Sequence, residues 1–256
     1  MSALTSPASG DDWDRHWDAH AASNALNPAQ AYRRALIFEA LALGRAIAPV
    51  RLIEFGSGQG ELTSEIATRY PKVELVGVDL SATGIAIARA KVPGAQFFQQ
   101  DLTQPFADRY RGWATHAICS EVLEHLDDPL TALHNLRACL APGGSLVITV
   151  PGGPMSAFDR HIGHRAHFTQ ARLQQLLLAA GFDVPAVQGA GFPFFNLYRL
   201  TVIARGRRLI ADAQGTLSTP ARAAIWTFSR LFRWNSRESS LGWQLLAVAR
   251  PRPLSA

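Results

Sequence analysis

Cysteine, lysine and long apolar runs are all scarce in this chain of 256 residues. Two cysteines, Cys119 and Cys139, are too few for a disulfide framework, so we expect two reduced core thiols and a cytoplasmic protein. Lysine occurs only at Lys72 and Lys91, so the net charge of +5 comes almost entirely from arginine. No stretch approaches the roughly 20 consecutive apolar residues of a membrane-spanning helix. We also expect no signal peptide, because the first residues lack a basic flank before an apolar run.

What the sequence does contain is an alternation of short apolar runs and amphipathic helical patterns from residue 51 onward. This alternation predicts βαβ units, and therefore an α/β fold with a mostly parallel, Rossmann-like sheet and helices on both faces. Apolar residues make up 48% of the chain, enough to fill such a core. We expect strands at 51–55, 73–78, 96–99, 116–119 and 145–150, a sixth within 182–187 and a last one over 242–249.

The segments around this core differ from it in composition, and together they predict one domain with two helical additions. Residues 1–48 are predicted to form an N-terminal helical cap, and residues 49–190 the cofactor-binding core. Residues 191–240 are rich in aromatics and arginine and predict a helical insert, after which 241–256 form the last strand and tail.

The strongest local pattern is a glycine-rich turn between the first strand and a helix. Glycines at 56, 58 and 60 allow a tight turn and a close approach of a ligand to the backbone. Asp79 ends the next strand, where an acid can accept hydrogen bonds from both hydroxyls of a ribose. A dinucleotide and S-adenosylmethionine (SAM) both fit this arrangement. The G-x-G-x-G spacing and the acidic Glu54 favour SAM, since a carboxylate suits a cationic sulfonium and repels a pyrophosphate.

Five ordered segments resemble the class I SAM-dependent methyltransferases, most closely the branch with the ubiquinone- and menaquinone-biosynthesis and natural-product enzymes. They are Glu54-Phe55-Gly56-Ser57-Gly58-Gln59-Gly60, Val78-Asp79-Leu80-Ser81, Gln100-Asp101-Leu102, Ser120-Glu121-Val122-Leu123-Glu124-His125-Leu126 and Pro142-Gly143-Gly144 with the strand after it.

This resemblance implies a seven-stranded sheet whose last strand is antiparallel, and SAM as the cofactor. It implies that Asp79 holds the ribose and that Asp101 receives the adenine amine. The remaining cofactor contacts that it implies come from Glu54, Gly56, Ser57, Gly58, Gly60, Leu80, Leu102, Ser120 and Glu121. It also implies that the N-terminal cap places Tyr32 or Trp17 near the methionine end of the cofactor.

Histidines are the candidates for acid–base chemistry, because the side chain titrates near neutral pH. His125 follows the fourth strand at the edge where ligands bind, and a structural histidine within that turn is an equal alternative. His161 and His164, in the loop after the fifth strand, are alternate bases. Three histidines at three-residue spacing (161, 164 and 167) are a pattern seen in metal sites, but no cysteine or carboxylate pattern completes a known site here. We therefore predict no metal.

The methyl acceptor is the least defined part of this prediction. The turn after the fourth strand lacks the Asn/Asp-Pro-Pro-aromatic pattern of amino-methylating nucleic-acid enzymes, so we expect no nucleic-acid partner. Aromatics mixed with arginines in 191–240 suit an apolar acceptor bearing an anionic group, or a peripheral contact with a membrane surface. We expect a small or lipid-like amphipathic acceptor, methylated on oxygen. The plainer alternative is that at least half of these aromatics are core. Two other function classes stay open: an NAD(P)-dependent oxidoreductase and a SAM-binding protein without catalysis.

Overall fold

The computed structural model describes residues 27–46, 49–212 and 219–253. The predicted helical pattern around Trp13 and Trp17, with His16 and His20 beside it, lies outside the described residues. The same is true of Trp17 as a neighbour of the cofactor.

One sheet organises the molecule, and its strands run in the order β3-β2-β1-β4-β5-β8-β6, with β7 also paired to β8. The strands β1 to β5 pair in parallel, whereas β8 is antiparallel to β5. This arrangement confirms the predicted fold class. The strands are β1 (Arg51–Phe55), β2 (Glu74–Asp79), β3 (Gln96–Gln99), β4 (Ala114–Ser120), β5 (Leu140–Pro151), β6 (Phe182–Asp183), β7 (Val187–Ala190) and β8 (Gln244–Pro251).

The sheet has eight strands rather than the seven expected, because the sixth is divided in two. Phe182 pairs with Pro251, and Val187 pairs with Ala247 farther along the same edge of β8. Pro185 lies between the two pieces and has no N–H to donate to a ladder, which accounts for the break.

Helices flank the sheet, and three of them begin at a serine, aspartate or threonine that caps the first turn. The side chains of Ser81, Asp128 and Thr169 accept hydrogen bonds from backbone N–H groups of the helices that follow them, as N-cap residues do. Among the described helices, none is long and apolar enough to cross a membrane. The helices are α1 (Pro28–Leu41), α2 (Glu61–Arg69), α3 (Ala82–Lys91), α4 (Pro129–Cys139), α5 (Ala157–His161), α6 (Gln170–Ala179), α7 (Phe194–Asp212) and α8 (Thr219–Leu231).

Both faces of the sheet are buried, as expected for parallel strands covered by helices. In β1, Leu52 faces a core that includes Ile37 of α1 and Ile66 of α2. Its neighbours Ile53 and Phe55 face the opposite core, which includes side chains of α4 and α6. This double burial fixes the carboxyl ends of the central strands, where the candidate site lies.

The described cap helix α1 packs against the insert through an aromatic cluster. The Tyr32 ring lies 5.7 Å from Phe195 and 5.5 Å from Phe232, centroid to centroid. Burial raises the pKa of Tyr32 to about 12, and its hydroxyl donates to Ser236 O at 3.3 Å. Tyr32 is therefore a contact between the cap and the insert, and several insert aromatics are core, as the plainer alternative expects.

Candidate functional site

The turn between β1 and α2, which we call the glycine turn (residues 56–60), depends on residues without a side chain. Gly56, Gly58 and Gly60 have φ values of 77°, 51° and 73°, a region that other residues enter only at a cost. A methyl group on Gly56 would also lie 2.2 Å from Val122 Cγ2, so the segment after β4 packs directly on the turn. Helix α2 begins directly after Gly60, and of the N–H groups in its first turn that of Thr63 bonds to Glu54.

Asp79 supports the glycine turn from the end of β2. Its Oδ2 accepts from Gly58 N at 2.8 Å, and its Oδ1 accepts from Ser81 N at 2.9 Å. A carboxylate at this strand end is one that can accept hydrogen bonds from ribose hydroxyls. The position therefore suits the predicted role of Asp79.

Glu54, near the end of β1, contacts the first turn of helix α2. It is buried, and it accepts a hydrogen bond from the Thr63 hydroxyl in the first turn of the helix. Burial raises the pKa of Glu54 to about 8, although the bond from Thr63 opposes that rise.

The other predicted cofactor residues are held by nearby backbone and amide groups. Ser57 N donates to Val78 O at 2.9 Å and Ser57 O accepts from Gly60 N at 2.8 Å, so this residue shapes the turn. Asp101 Oδ1 accepts from the N–H and hydroxyl of Thr103. The carbonyls of Leu80 and Leu102 accept from the side-chain amides of Gln99 and Asn135.

Glu121 joins four elements at the end of β4. Its Oε2 lies 2.8 Å from Arg33 Nη2 of α1, and its Oε1 accepts from Gln244 Nε2 of β8 at 3.0 Å and from Thr149 of β5. Its φ of 56° is unusual for a residue with a side chain. Ser120 beside it shares a hydrogen bond of 2.8 Å with the same Thr149 hydroxyl.

Next to Glu121 lies a cluster that we call the histidine pocket, formed by Glu124, His125, Asp159, His164 and His167. The rings of His125 and His164 meet edge to face, with centroids 4.7 Å apart. His164 Nδ1 lies 3.1 Å from His167 Nε2. Burial and the neighbouring His125 lower the pKa of His164 to about 3, so its ring is neutral at physiological pH.

The two acids of the histidine pocket differ sharply in their partners. Asp159 accepts from Arg199 Nη2 at 2.9 Å with both oxygens, and from Ser156 N. Burial alone would raise the pKa of Asp159, but Arg199 and Ser156 together lower it. Glu124 is 0% exposed, and neither of its carboxylate oxygens has a hydrogen-bond partner in the described part of the chain.

Sequence reasoning placed only part of this pocket. The structure brings together His125 and His164, whereas His161 is exposed at the end of α5 and lies apart from the pair. It adds Glu124, Asp159, Arg33 and Arg199, which were not predicted. Glu124 stands next to His125 in the sequence, and this proximity could have marked it as a site residue. The two arginines come from helices that carry no recognisable motif, so nothing in the sequence marked them.

Comparison with known proteins identifies the family to which the chain belongs. A family model described as a methyltransferase domain matches residues 29–187, which is more than half of the chain. The chain belongs to this methyltransferase family. The match confirms the predicted resemblance, the enzyme class and SAM as the cofactor, and it favours methyl transfer over the oxidoreductase alternative.

The alignments with curated relatives span only part of this chain and part of each relative. A trans-aconitate 2-methyltransferase of Methylobacterium nodulans is 32% identical over 108 residues, which are 41% of this chain and 39% of that protein. The same enzyme of Variovorax paradoxus is 29% identical over 182 residues, 65% of this chain and 67% of the relative. The chain thus spans about two fifths to two thirds of the length of these relatives.

Solved structures share the fold at low identity. The cyclase SpnF is 21% identical, with a TM-score of 0.58 over 87% of this chain and 81% of that one. Phosphoethanolamine N-methyltransferase 2 of Haemonchus contortus, in complex with SAM, is 16% identical, with a TM-score of 0.56 over 86% and 52% of the two chains. At these identities the likeness shows the fold alone.

The residues of the glycine turn fit SAM. Positive φ values open the backbone, α2 begins directly after the turn, and the carboxylate of Asp79 lies beside Gly58. These groups would hold the carboxylate and the ribose of the cofactor. When bound, SAM supplies a methyl group on a positively charged sulfur that is already a good leaving group.

Proposed function

We propose that the protein transfers the methyl group of SAM to an oxygen of a small acceptor molecule held at the histidine pocket. The observation that carries this proposal is the contact between the two halves of the site. Val122 packs on Gly56, and His125 stands three residues after Val122. An acceptor beside His125 would therefore lie close to a methyl group bound over the glycine turn.

The chemistry asks mainly for alignment. The acceptor oxygen forms a bond to the methyl carbon while the carbon–sulfur bond breaks, and the sulfur keeps the electron pair as S-adenosylhomocysteine forms. Holding the two reactants in line supplies most of the acceleration. His125 and His164 are placed to orient the acceptor oxygen. A hydroxyl acceptor gives its proton to solvent water during or before the transfer, whereas an ionised carboxylate acceptor has no proton to lose.

Two acceptor classes are supported by different observations. Aromatic side chains around the insert favour a phenolic, quinone-like or lipid-linked compound, as the sequence predicts. The relatives act on trans-aconitate, according to their names, which favours a carboxylic acid. The family match ends at residue 187, before the insert begins, so the part of the chain expected to select the acceptor lies outside it.

The insert also supports contact with a membrane surface. Trp226 and Trp234 are 62% and 71% exposed, and the Arg230 guanidinium lies 5.3 Å from the Trp226 ring. Exposed indoles beside arginines suit the headgroup region of an anionic bilayer. Co-sedimentation with anionic vesicles should fall in the double variant Trp226→Ser, Trp234→Ser. Unchanged co-sedimentation would contradict the proposed membrane contact.

We also propose a cytoplasmic location. Two buried free thiols, Cys119 and Cys139, support it.

The experiment that tests the function is a turnover screen. Purified protein and SAM are incubated with soluble phenols and with carboxylic acids including trans-aconitate, and products are sought by mass spectrometry as a gain of about one methyl group. His125→Ala should lower kcat by roughly 10²–10⁴-fold, and His161→Ala, at an exposed histidine, should not. SAM binding without any product would instead favour a binding protein without catalysis.

A further inference from the structure

The carboxylate of Glu124 presents an electrostatic problem that its surroundings do not solve. Three acids lie in this region, and two of them have an arginine: Glu121 pairs with Arg33, and Asp159 pairs with Arg199. Glu124 is fully buried, and no described side chain donates to either of its oxygens. Because a buried ionised carboxylate is costly unless it is paired or binds a metal, this position calls for a proton or a cation.

Two imidazoles stand where ligands of such a cation would be. One ligand atom from each of Glu124, His125 and His164 lies within 4.8 Å of the others. Two ligands of a tetrahedral Zn²⁺ ion, each about 2.1 Å from it, lie roughly 3.4 Å apart. A shift of the side chains that shortens the separations to this value brings all three onto one ion.

Hydrogen bonds behind His164 prepare its ring for this role. The Gly153 carbonyl can only accept, so His167 Nδ1, 3.1 Å away, carries a hydrogen. In a neutral His167 ring, Nε2 then accepts, and the hydrogen between the two rings belongs to His164 Nδ1. This leaves a lone pair on His164 Nε2. A ligating histidine that donates its other N–H is the usual arrangement around a protein-bound metal.

We propose that Glu124, His125 and His164 bind one divalent transition-metal ion, such as Zn²⁺ or Mn²⁺, at the acceptor side of the site. This differs from the sequence expectation of no metal, because the missing carboxylate is supplied by the turn after β4 and not by the histidine loop. One carboxylate and two imidazoles suit these ions better than Mg²⁺ or Ca²⁺, which prefer oxygen ligands.

A second set, Asp159 with His164 and His167, is also close enough to hold an ion. It is the weaker choice, because Asp159 already has two bonds from Arg199 and one from Ser156. Three protein ligands on the Glu124 ion leave at least one coordination position open. Resting on the proposed function, we assign that position to the acceptor oxygen, whose proton the ion would make easier to lose.

The test is calorimetry of Zn²⁺ and Mn²⁺ binding to protein freed of metal with a chelator. The wild type should bind one ion per chain, and Glu124→Gln should weaken binding by at least roughly 100-fold, while Glu74→Gln at an exposed site should not. His167→Gln should weaken it by roughly 10–100-fold, as loss of an orienting partner does. Co²⁺ added to the wild type should give the absorption of a nitrogen- and oxygen-bound ion, and Glu124→Gln should lack it.

Folding and cofactor binding are measured separately to keep the outcomes distinct. Without metal, Glu124→Gln should melt at or above the temperature of the wild type, because it removes a buried acid without a partner; only the wild type should gain stability from added metal. SAM affinity should be the same with and without metal. SAM binding in a protein that binds neither ion overturns this site alone, whereas failure to bind SAM overturns the proposed function. Binding lost on Asp159→Asn but kept on Glu124→Gln overturns the ligand assignment.

Discussion

The glycine turn and the histidine pocket share one edge of the sheet, but their polar groups are satisfied in opposite ways. In the glycine turn, Asp79 bonds to the N–H group of Ser81, two residues on, and to that of Gly58 in the turn after the adjacent strand. In the histidine pocket, charges pair over long sequence separations, as between Arg199 and Asp159. The bonds of Asp79 thus span at most 21 residues of sequence, whereas the pair of Arg199 and Asp159 spans 40.

We expect substitutions in the glycine turn to lower folding stability and SAM binding more than those in the histidine pocket. Gly56→Ala should have the largest effect. The new methyl group would meet Val122 Cγ2, and φ is 77° there. Overpacking and backbone strain together should cost about 2–5 kcal/mol of folding stability, measured by urea unfolding, with loss of SAM binding by calorimetry.

Two variants sharpen this prediction. Gly94→Ala changes a glycine with nothing within 4 Å and should behave like the wild type. Val122→Ala added to Gly56→Ala should restore part of the stability, leaving the strain of about 1–2 kcal/mol. If the double variant were no better than the single one, the contact between the two halves would not be the cause.

Asp79→Ala should come next. It removes an acceptor of Gly58 N and Ser81 N, and in our proposal of the ribose hydroxyls too. SAM affinity should fall by about 1.5–3 kcal/mol, the range for a lost hydrogen bond to a charged group. Asp108→Ala, at a highly exposed acid, serves as the control. Equal calorimetric affinities of wild type and Asp79→Ala would contradict the ribose assignment.

The last expected effect is a pH dependence of folding stability that arises in the glycine half. The folded pKa of Glu54 is raised to about 8 from 4.5, so between these values the folded state holds a proton that the unfolded state releases. Stability from this group is therefore complete below about pH 4.5 and is lost as the pH rises through about 8. Glu54→Gln should flatten this part of the melting-temperature curve between pH 5 and 9. Parallel curves for the two proteins would show that Glu54 is not the source.

The extent to which the sequence predicts these halves follows from the same difference. The fold and the glycine turn could be predicted, because their signals depend on residues that are close together in the sequence. These signals are the glycine spacing, the strand ends and the helix caps at Ser81, Asp128 and Thr169. The buried position of Glu54 could not, because burial depends on the helix above it. The division of the sixth strand could have been predicted from Pro185, which cannot donate to a ladder.

The contacts within the histidine pocket could not be predicted from local sequence patterns. His125 and His164 were identified by residue type, but their meeting depends on how the loop after β5 folds back over the turn after β4. Arg165 N donating to Glu124 O at 2.7 Å is one bond that fixes this path. Arg33 and Arg199 lie in helices whose polar faces look like any other, so nothing in their own segments marks them as partners of Glu121 and Asp159.

The place of β8 in the sheet has a consequence for biosynthesis. Strands β6 and β7 pair only with β8 among the described residues, and Gln244 of β8 completes the bonds around Glu121. Over fifty residues separate β7 from β8, so a ribosome must add all of them before that edge can close. During translation the growing chain carries two unpaired strands, a state in which chaperones would be expected to bind.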